Sequence, residues 1–148
     1  MASGKNNTYA QLVLASIFQA AFTAIANILA NAASPITSLY VSLHNGTLGA
    51  TSSQSTSETA YTNYTRIGVV RTSSGWSLSG ETISNVAAIN FPQCGASGDT
   101  LTYVALGTNS TAGQAGQVLY FGALTSSLAV SNGITPSVPI GDLTVTES

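Results

Sequence analysis

The sequence predicts a mainly β protein, built as a single β-sandwich that follows one long N-terminal amphipathic α-helix. Short apolar runs recur roughly every ten residues from Leu39 onward, and Gly-rich turns separate them, as expected for consecutive strands. Ser and Thr make up about a quarter of the chain, and Thr, Val, Ile and Tyr suit the pleated, half-buried surface of a sheet. Helical periodicity is confined to the segment before Ser34-Pro35.

The helix is predicted over the uncharged stretch from Leu12 to Ala33, where polar residues recur every three or four positions and apolar residues fill the opposite face. Thr8-Tyr9-Ala10-Gln11 has the form of a capping box that would start the helix, and Ser34-Pro35 would end it. A secretory signal is the weaker alternative, because polar residues interrupt the apolar run that follows Lys5.

The apolar stripe of this helix is the predicted partner-binding surface, and two interpretations of it remain open. The helix packs on its own sheet, or it forms an arm that docks on a neighbouring copy or on another protein. Burial stabilises either arrangement by roughly 1.5–3 kcal/mol per large side chain. We therefore divide the chain into a helical arm, residues 1–36, and a β-sandwich domain, residues 37–148. The candidate contact residues are Leu14, Phe18, Phe22 and Ile25.

Seven short segments of the second part are the predicted strands, and a jelly roll is one option for their arrangement. The segment from Thr47 to Ser57 is predicted to be a surface loop with almost nothing to bury, mobile in the isolated protein, with a contact arm in an assembly as the alternative. Pro92, Pro136 and Pro139 mark strand ends or edges. The predicted strands are Leu39–Leu43, Tyr64–Val70, Trp76–Ser79, Val86–Phe91, Leu101–Leu106, Val118–Ala123 and Leu143–Val145.

Charge is scarce and excludes several functions. The chain has 3 Lys and Arg against 5 Asp and Glu, a net charge of -2. Neutralising even about six phosphates would need more cations than the chain contains, which argues against a nucleic-acid partner. One Cys cannot form an internal disulfide. Such a neutral, hydroxyl-rich surface suits a protein held in an assembly, where close neighbours would make like charges costly.

The residues that carry chemistry elsewhere are predicted to be structural in this chain. His44 is the only histidine, so a Ser-His-Asp triad would have to include it, and no Gly-x-Ser-x-Gly motif is present. We interpret His44 as a residue that ends a strand. Cys94 lacks a CxxC or His partner and is expected to fill a small buried space. No cofactor or metal is predicted.

The few charged side chains are expected to lie mostly in water. Arg66 and Arg71 are five residues apart, hence on opposite faces of one strand, one buried against Glu58 or Glu81 and the other exposed. The carboxylates that would have to serve a glycosidase lie in or beside turns, where solvation is the expected state. They are Glu58, Glu81, Asp99 and Asp142.

Four strings from Leu39 to Thr146 resemble a group of small tailed-phage virion proteins, described as capsid cement (decoration) proteins or as tail-fibre-related proteins. The resemblance implies a jelly-roll-like sandwich on the outside of a capsid, typically dimeric, that bridges neighbouring capsid subunits. After "LH" this chain departs from the pattern, since Asn45-Gly46-Thr47 replaces an acidic Gly/Pro turn. The strings are "SLYVSLHNG", "ETAYTNYTRIGVVRTSSGWSLSG", "ISNVAAINFP" and "VLYFGALTSSLAVSNGITPSVPIGDLTVT".

The resulting hypothesis is a non-enzymatic cement subunit on the outer capsid surface of a virion. Its expected partners are the major capsid protein and a second copy of itself in a homodimer or other homo-oligomer, without a membrane. The alternative is a tail-fibre or receptor-binding module that recognises host surface glycans, and an enzyme is the third possibility. An aromatic platform for glycans would draw on Tyr40, Tyr61, Tyr64, Trp76, Tyr103 and Tyr120.

Overall fold

The computed structural model describes residues 7–19 and 36–147, and in this part the chain is mainly β with antiparallel sheets. The strands form sheets of four, three and two members, in the orders β2-β1-β6-β7, β3-β4-β9 and β5-β8. In chain order the elements are α1 (Asn7–Phe18), β1 (Ser38–His44), β2 (Ile67–Val70), β3 (Trp76–Ser79), β4 (Thr82–Asn85), β5 (Ile89–Asn90), β6 (Asp99–Gly107), β7 (Val118–Val130), β8 (Ser137–Val138) and β9 (Thr144–Thr146).

The chain divides into two compact units. The described residues of the first unit come from Met1–Thr37, Val70–Ala88 and Val138–Ser148, and those of the second from Ser38–Val69 and Ile89–Ser137. The first unit contains α1 and the three-stranded sheet, and the second contains β1, β6 and β7 of the four-stranded sheet. The predicted division at residues 36 and 37, and the predicted jelly-roll arrangement, remain predictions.

The four-stranded sheet follows from the alternation of β1. Leu39, Val41 and Leu43 point to one face because successive side chains of a strand alternate, and all three are buried. Val41 lies opposite Leu106 in the antiparallel register of β1 and β6. The opposite face of β1 is also buried at Ser42 and His44, so both faces of this strand are covered near its end.

The first unit is organised around the contact between helix α1 and Trp76 on β3. The rings of Phe18 and Trp76 meet edge to face, with centroids 4.5 Å apart and planes at 75°. Both side chains are fully buried, as are Leu14 of the helix and Ile83 of β4. The helix therefore packs on the three-stranded sheet of its own unit with Leu14 and Phe18, two of the four residues predicted to form its apolar stripe.

The end of α1 is held by Arg71. Its guanidinium donates hydrogen bonds to the carbonyl oxygens of Ser16, Ile17 and Ile36, so carbonyls of the last helical turn gain partners that the helix cannot supply. A cation at a helix C-terminus also interacts favourably with the helix dipole. Because Arg71 is half-buried by these contacts, the prediction that one of the two arginines is exposed is wrong.

A buried amide joins the segments around β4 and β9 in the same unit. Asn85 Nδ2 donates to the carbonyl oxygens of Ala87 and Pro139, each at 2.8 Å, and Asn85 Oδ1 accepts from the N–H of Leu143 at 2.9 Å. Asn85 is 1% exposed, so these bonds satisfy an amide that water does not reach.

The strand predictions are largely confirmed, with differences at the ends. β1, β3, β6 and β9 overlap the predicted segments to within two residues at each end, and β7 starts as predicted but continues past Ala123 to Val130. The strands predicted over Tyr64–Val70 and Val86–Phe91 shorten to β2 and β5. The alternation pattern does not predict β4 or β8. β8 lies between Pro136 and Pro139, in accord with prolines that mark strand ends.

The prediction of a long N-terminal helix is wrong. Helix α1 covers Asn7–Phe18 and Gln19 is already a bend, so the helix ends well before the predicted Ala33, and Thr8 lies within the helix rather than ahead of it. The amphipathic pattern continues past Phe18, but the contacts of the last turn with Arg71 and Trp76 set the end of the helix. Residues 20–35 lie outside the described residues.

Replacement of Phe18 by Ala tests the packing of α1. We expect the free energy of unfolding to fall by about 3–5 kcal/mol, because the substitution leaves a cavity against Trp76. Urea denaturation followed by Trp fluorescence measures the change. The control is Ile140→Ala at a side chain that is 66% exposed, with an expected change within about 0.5 kcal/mol. Equal stability of Phe18→Ala and the wild type would contradict this packing.

Candidate functional site

In the second unit, ionisable and hydroxyl side chains lie close together beside the end of β1. The segment that follows the Ser/Thr-rich loop runs antiparallel to β1, with a bridge between His44 and Glu58. The N–H of Asn45 donates to the carbonyl of Ser57, and that of Thr59 donates to the carbonyl of Leu43. This pairing places Glu58 next to the end of the central strands.

Glu58 forms a buried ion pair with Arg66. Arg66 Nε donates to Glu58 Oε1 and Nη2 donates to Oε2, each at 2.7 Å, in the two-pronged geometry that is strongest for this pair. The two side chains are 0% and 3% exposed. The prediction that one arginine is buried against Glu58 or Glu81 is confirmed by Arg66 and Glu58, and the expectation that Glu58 is solvated is wrong.

The same pair orders the loop between β6 and β7. Arg66 Nη1 donates to the carbonyl of Asn109 and Nη2 to that of Gln114, while the N–H of Gly113 donates to Glu58 Oε2 at 2.8 Å. Gly113 has a φ of +77°, a conformation that favours glycine. The ion pair thus supplies partners to a loop that has little apolar surface of its own to bury.

Tyr64 completes this cluster. Its hydroxyl donates to Glu58 Oε1 at 2.9 Å and accepts from the N–H of Leu43 at 3.1 Å. Burial raises the pKa of Tyr64 far above its ordinary value, and the neighbouring Glu58 carboxylate acts in the same direction. Tyr64 is therefore a neutral hydrogen-bonding group throughout the physiological pH range.

Ser42 and His44 form a pair that resembles a nucleophile and its base. Ser42 Oγ lies 2.9 Å from His44 Nε2, and His44 Nδ1 lies 2.9 Å from the carbonyl of Thr56. Because a carbonyl only accepts, Nδ1 carries the proton and Nε2 accepts from the Ser42 hydroxyl. Both residues are 0% exposed, so a substrate has no route to the hydroxyl. The prediction that His44 ends its strand is confirmed, and the pair holds that strand end against the neighbouring segment.

The Ser/Thr-rich loop differs from its prediction, because it buries two side chains. Leu48 is 4% and Gln54 is 0% exposed. Gln54 Oε1 accepts from the N–H of Asn109 at 2.8 Å, and Nε2 lies 3.4 Å from the carbonyl of Tyr40. The Gln54 side chain lies so close to Gly107 and Gly116 that a Cβ at either position would overlap it. The loop is therefore held by a buried amide, which the low-complexity composition does not reveal.

An open cleft of about 410 Å³ lies beside the Glu58–Arg66 cluster. Its polar side chains bond mostly within the protein: Thr59 Oγ1 donates to Asp99, the Tyr61 hydroxyl donates to the carbonyl of Pro92, and Asn63 Nδ2 donates to that of Gln93. Burial raises the pKa of Tyr61 to about 12. The lining residues are Ser55, Glu58, Thr59, Ala60, Tyr61, Thr62, Asn63, Tyr64, Ala112 and Gly113.

The predicted partner-binding residues do not lie at this cluster. Leu14 and Phe18 are both 0% exposed and pack within the first unit, which corresponds to the interpretation of a helix packed on its own sheet. Phe22 and Ile25 lie outside the described residues, and their role in binding remains a prediction. Cys94 is buried and free, as expected of a small filler.

Burial lowers the number of aromatic side chains that could stack against a glycan. Trp76 and Tyr61 are 0% and 2% exposed, so neither offers a face to a ligand. The remaining tyrosines, Tyr40, Tyr64, Tyr103 and Tyr120, are half-buried.

Sequence reasoning missed the backbone partners of the cluster and the role of Gln54. The sequence does contain a signal for the ion pair itself, since Glu58, Tyr64 and Arg66 lie within nine residues of a chain that is only 5% charged. An acid and a base so close together in such a chain indicate an internal pair. Gly113, Asn109 and Gln114 carry no such signal, because backbone groups of a loop bond regardless of side-chain type.

Replacement of Glu58 by Gln tests the ion pair. We expect the free energy of unfolding to fall by roughly 3–5 kcal/mol, because the variant leaves the Arg66 guanidinium buried without a counter-charge. Chemical denaturation measures the loss. Glu81→Gln serves as the control, since no described ion pair includes Glu81, and we expect a change within about 0.5 kcal/mol. Equal small effects of both substitutions would contradict a structural role for the pair.

His44 makes stability depend on pH. Burial lowers the pKa of His44 below its ordinary value of 6.5, although the Thr56 carbonyl and Glu58 act in the opposite direction. The unfolded chain therefore binds a proton below pH 6.5 that the folded chain does not. Stability from this group is complete above 6.5 and falls as the pH drops toward the lowered pKa, by at most about 1.4 kcal/mol per pH unit.

Urea denaturation at pH 7.5 and 5.5 measures this effect in the wild type and in His44→Gln. We expect the wild type to lose more stability between the two pH values than the variant does. Parallel losses in both proteins would show that other groups cause the pH dependence.

Comparison with known protein families gives one match that covers most of the chain. Residues 16–146 match the family described as "Podophage GP4 fiber I protein gp80". No curated protein matches the chain. Within residues 7–19 and 36–147, no helix is long and apolar enough to cross a membrane, and no three His, Cys, Asp or Glu side chains group as metal ligands.

Proposed function

The chain belongs to this family of phage fibre proteins and is a phage virion protein, and we propose that it is a non-enzymatic structural subunit of the fibre. The family match carries the proposal. The chemistry of the chain supports it: the surface is neutral and rich in hydroxyls, and only 5% of the residues are charged. Such a surface suits permanent contacts with neighbouring subunits, which would otherwise have to desolvate charges.

Two arrangements in the second unit support a role without catalysis. Ser42 and His44 have the spacing of a catalytic pair but are 0% exposed. Glu58, the carboxylate nearest the cleft, already accepts bonds from Arg66, Tyr64 and the N–H of Gly113. A general acid or base has to exchange protons with its substrate, and neither group is placed to do so.

Capsid cement is the second candidate function. In this role the chain would bind the outer surface of the assembled capsid and bridge neighbouring major capsid subunits. The observation that favours it is again the scarcity of charge, because a lattice of close-packed copies is stabilised most when neighbours do not repel one another. Many weak copies together would stabilise the shell, since each binds only the assembled lattice.

Recognition of host glycans is a more specific function that a fibre subunit could perform. Stacking against sugar rings would have to use tyrosines that keep part of their ring accessible, such as Tyr40 and Tyr103, rather than Trp76 or Tyr61. Hydroxyl and amide side chains around such rings would supply hydrogen bonds to sugar hydroxyls.

Copy number and position in the particle distinguish these functions. Quantitative mass spectrometry of purified virions measures the ratio of this chain to the major capsid protein, and electron microscopy with a labelled antibody locates it. A few copies located on a fibre support the fibre proposal. Copies in the hundreds, distributed over the capsid, support cement and would contradict the fibre proposal.

Attachment to the particle should depend little on salt. Raising the ionic strength from about 0.1 to 1 M shortens the Debye length from about 10 to 3 Å and weakens contacts between exposed charges. We expect the ratio of this chain to the major capsid protein in sedimented particles to stay constant across this range. Release at high salt would show that charges rather than neutral surfaces hold the chain.

A further inference from the structure

Two Asn-Gly pairs occur in the chain, Asn45-Gly46 and Asn132-Gly133. In such a pair the backbone nitrogen of the glycine can attack the Cγ atom of the asparagine side chain, because glycine has no Cβ to obstruct the approach. Both asparagines are exposed, so water reaches both pairs. Their surroundings differ, and this difference decides which pair is free to react.

Asn132-Gly133 lies in a turn that hydrogen bonds hold in place. The N–H of Gly133 donates to the carbonyl of Cys94 at 2.8 Å, and the N–H of Cys94 donates to the carbonyl of Ile134 at 2.9 Å. Gln93 Nε2 donates to the carbonyl of Gly133, also at 2.9 Å. The attacking nitrogen of this pair is therefore engaged, and the turn has to open before that nitrogen reaches the Asn132 side chain.

Asn45-Gly46 lies directly after β1, and its glycine nitrogen is not engaged. Within residues 7–19 and 36–147, the N–H of Gly46 donates to no acceptor. The Asn45 side chain makes one hydrogen bond, from Nδ2 to Asp99 Oδ2 at 2.9 Å, and this bond is exposed. Water competes for an exposed bond, so the side chain can turn its Cγ atom toward the Gly46 nitrogen at little cost.

The fold also requires glycine at position 46. A Cβ atom there would lie 2.8 Å from Ser57 Oγ and 2.9 Å from Ser57 Cβ, which is too close for a real contact. The N–H of Asn45 donates to the carbonyl of Ser57 at 2.9 Å, so the two segments are joined at this point. A larger residue that would shield Asn45 from attack therefore does not fit.

We propose that Asn45 is a site of spontaneous deamidation. The Gly46 nitrogen attacks Asn45 Cγ and a C–N bond forms, while the side-chain nitrogen takes up the proton of the Gly46 N–H and leaves as ammonia. Water then opens the succinimide ring at either carbonyl and gives aspartate or isoaspartate. Water is the only co-reactant. The proposal is independent of the fibre function, because it concerns the isolated chain.

The product would loosen the junction after β1. A carboxylate at position 45 cannot donate to Asp99, so two like charges would meet where an amide and a carboxylate now form a bond. Thr59 Oγ1 donates to the same Asp99 oxygen at 2.7 Å, and the N–H of Thr59 donates to the carbonyl of Leu43. The repulsion would therefore act on the segment that pairs with β1. Each conversion also adds one negative charge to a chain with a net charge of -2.

Incubation of the purified, folded chain at slightly alkaline pH, followed by peptide mapping with mass spectrometry, tests the site. We expect the amide-to-acid mass change to appear at least about tenfold faster at Asn45 than at Asn132, because a misplacement of about 1 Å in reacting atoms costs roughly a hundredfold in rate. Asn132 is thus a matched control within the same molecule. In urea both pairs are free, and the two rates should approach each other.

Equal rates at the two asparagines of the folded chain, or a faster reaction at Asn132, would overturn the proposal. It would also be overturned if Asn45 stayed unmodified in the folded chain while it reacted in urea.

Two variants that each add one negative charge test the effect of the product. Asn45→Asp should lower the urea midpoint, because its carboxylate faces Asp99, whereas Asn132→Asp at an exposed turn should leave the midpoint unchanged. Circular dichroism measures both midpoints. Equal midpoints would contradict a loosened junction.

Discussion

The buried pair of Glu58 and Arg66 is the interaction on which the loops of the second unit depend. Taking both charges out of water is costly, and the cost is offset only because the two side chains meet in a two-pronged geometry with both contacts at 2.7 Å. Arg66 also bonds to the carbonyls of Asn109 and Gln114, and Glu58 also accepts from Tyr64 and Gly113. Two segments that are distant in sequence, residues 58–66 and 109–114, thereby share one electrostatic centre.

Buried amides have a corresponding role where no charge is present. Gln54 links the Ser/Thr-rich loop to Asn109 in the second unit, and Asn85 links the backbone around Ala87, Pro139 and Leu143 in the first. An amide both donates and accepts, so one side chain satisfies several backbone groups without the desolvation cost of an ion. A chain poor in apolar loop residues gains order in this way.

The sequence predicts the parts of the fold that depend on local alternation, such as β1, because burial of the face with Leu39, Val41 and Leu43 imposes a period of two. It predicts that one arginine pairs with Glu58 or Glu81, because so few partners exist in the chain, but it does not identify the pair as Arg66 and Glu58. It does not predict the end of α1 at Phe18, which depends on contacts with Arg71 and Trp76. Nor does it predict burial of Gln54, since the space between Gly107 and Gly116 exists only after the chain folds.

Because charged side chains are used in contacts within the chain, few of them remain on the described surface to bind a partner. Of the three cations, Lys5 lies outside the described residues, Arg66 is fully buried, and Arg71 bonds to carbonyls around the end of α1. The described surface therefore has almost no positive charge with which to attract an anionic partner from a distance. Contacts must instead come from backbone edges, hydroxyls and apolar side chains, which act only at close range. Such a surface is therefore suited to assembly with close neighbours rather than to long-range capture of a charged partner.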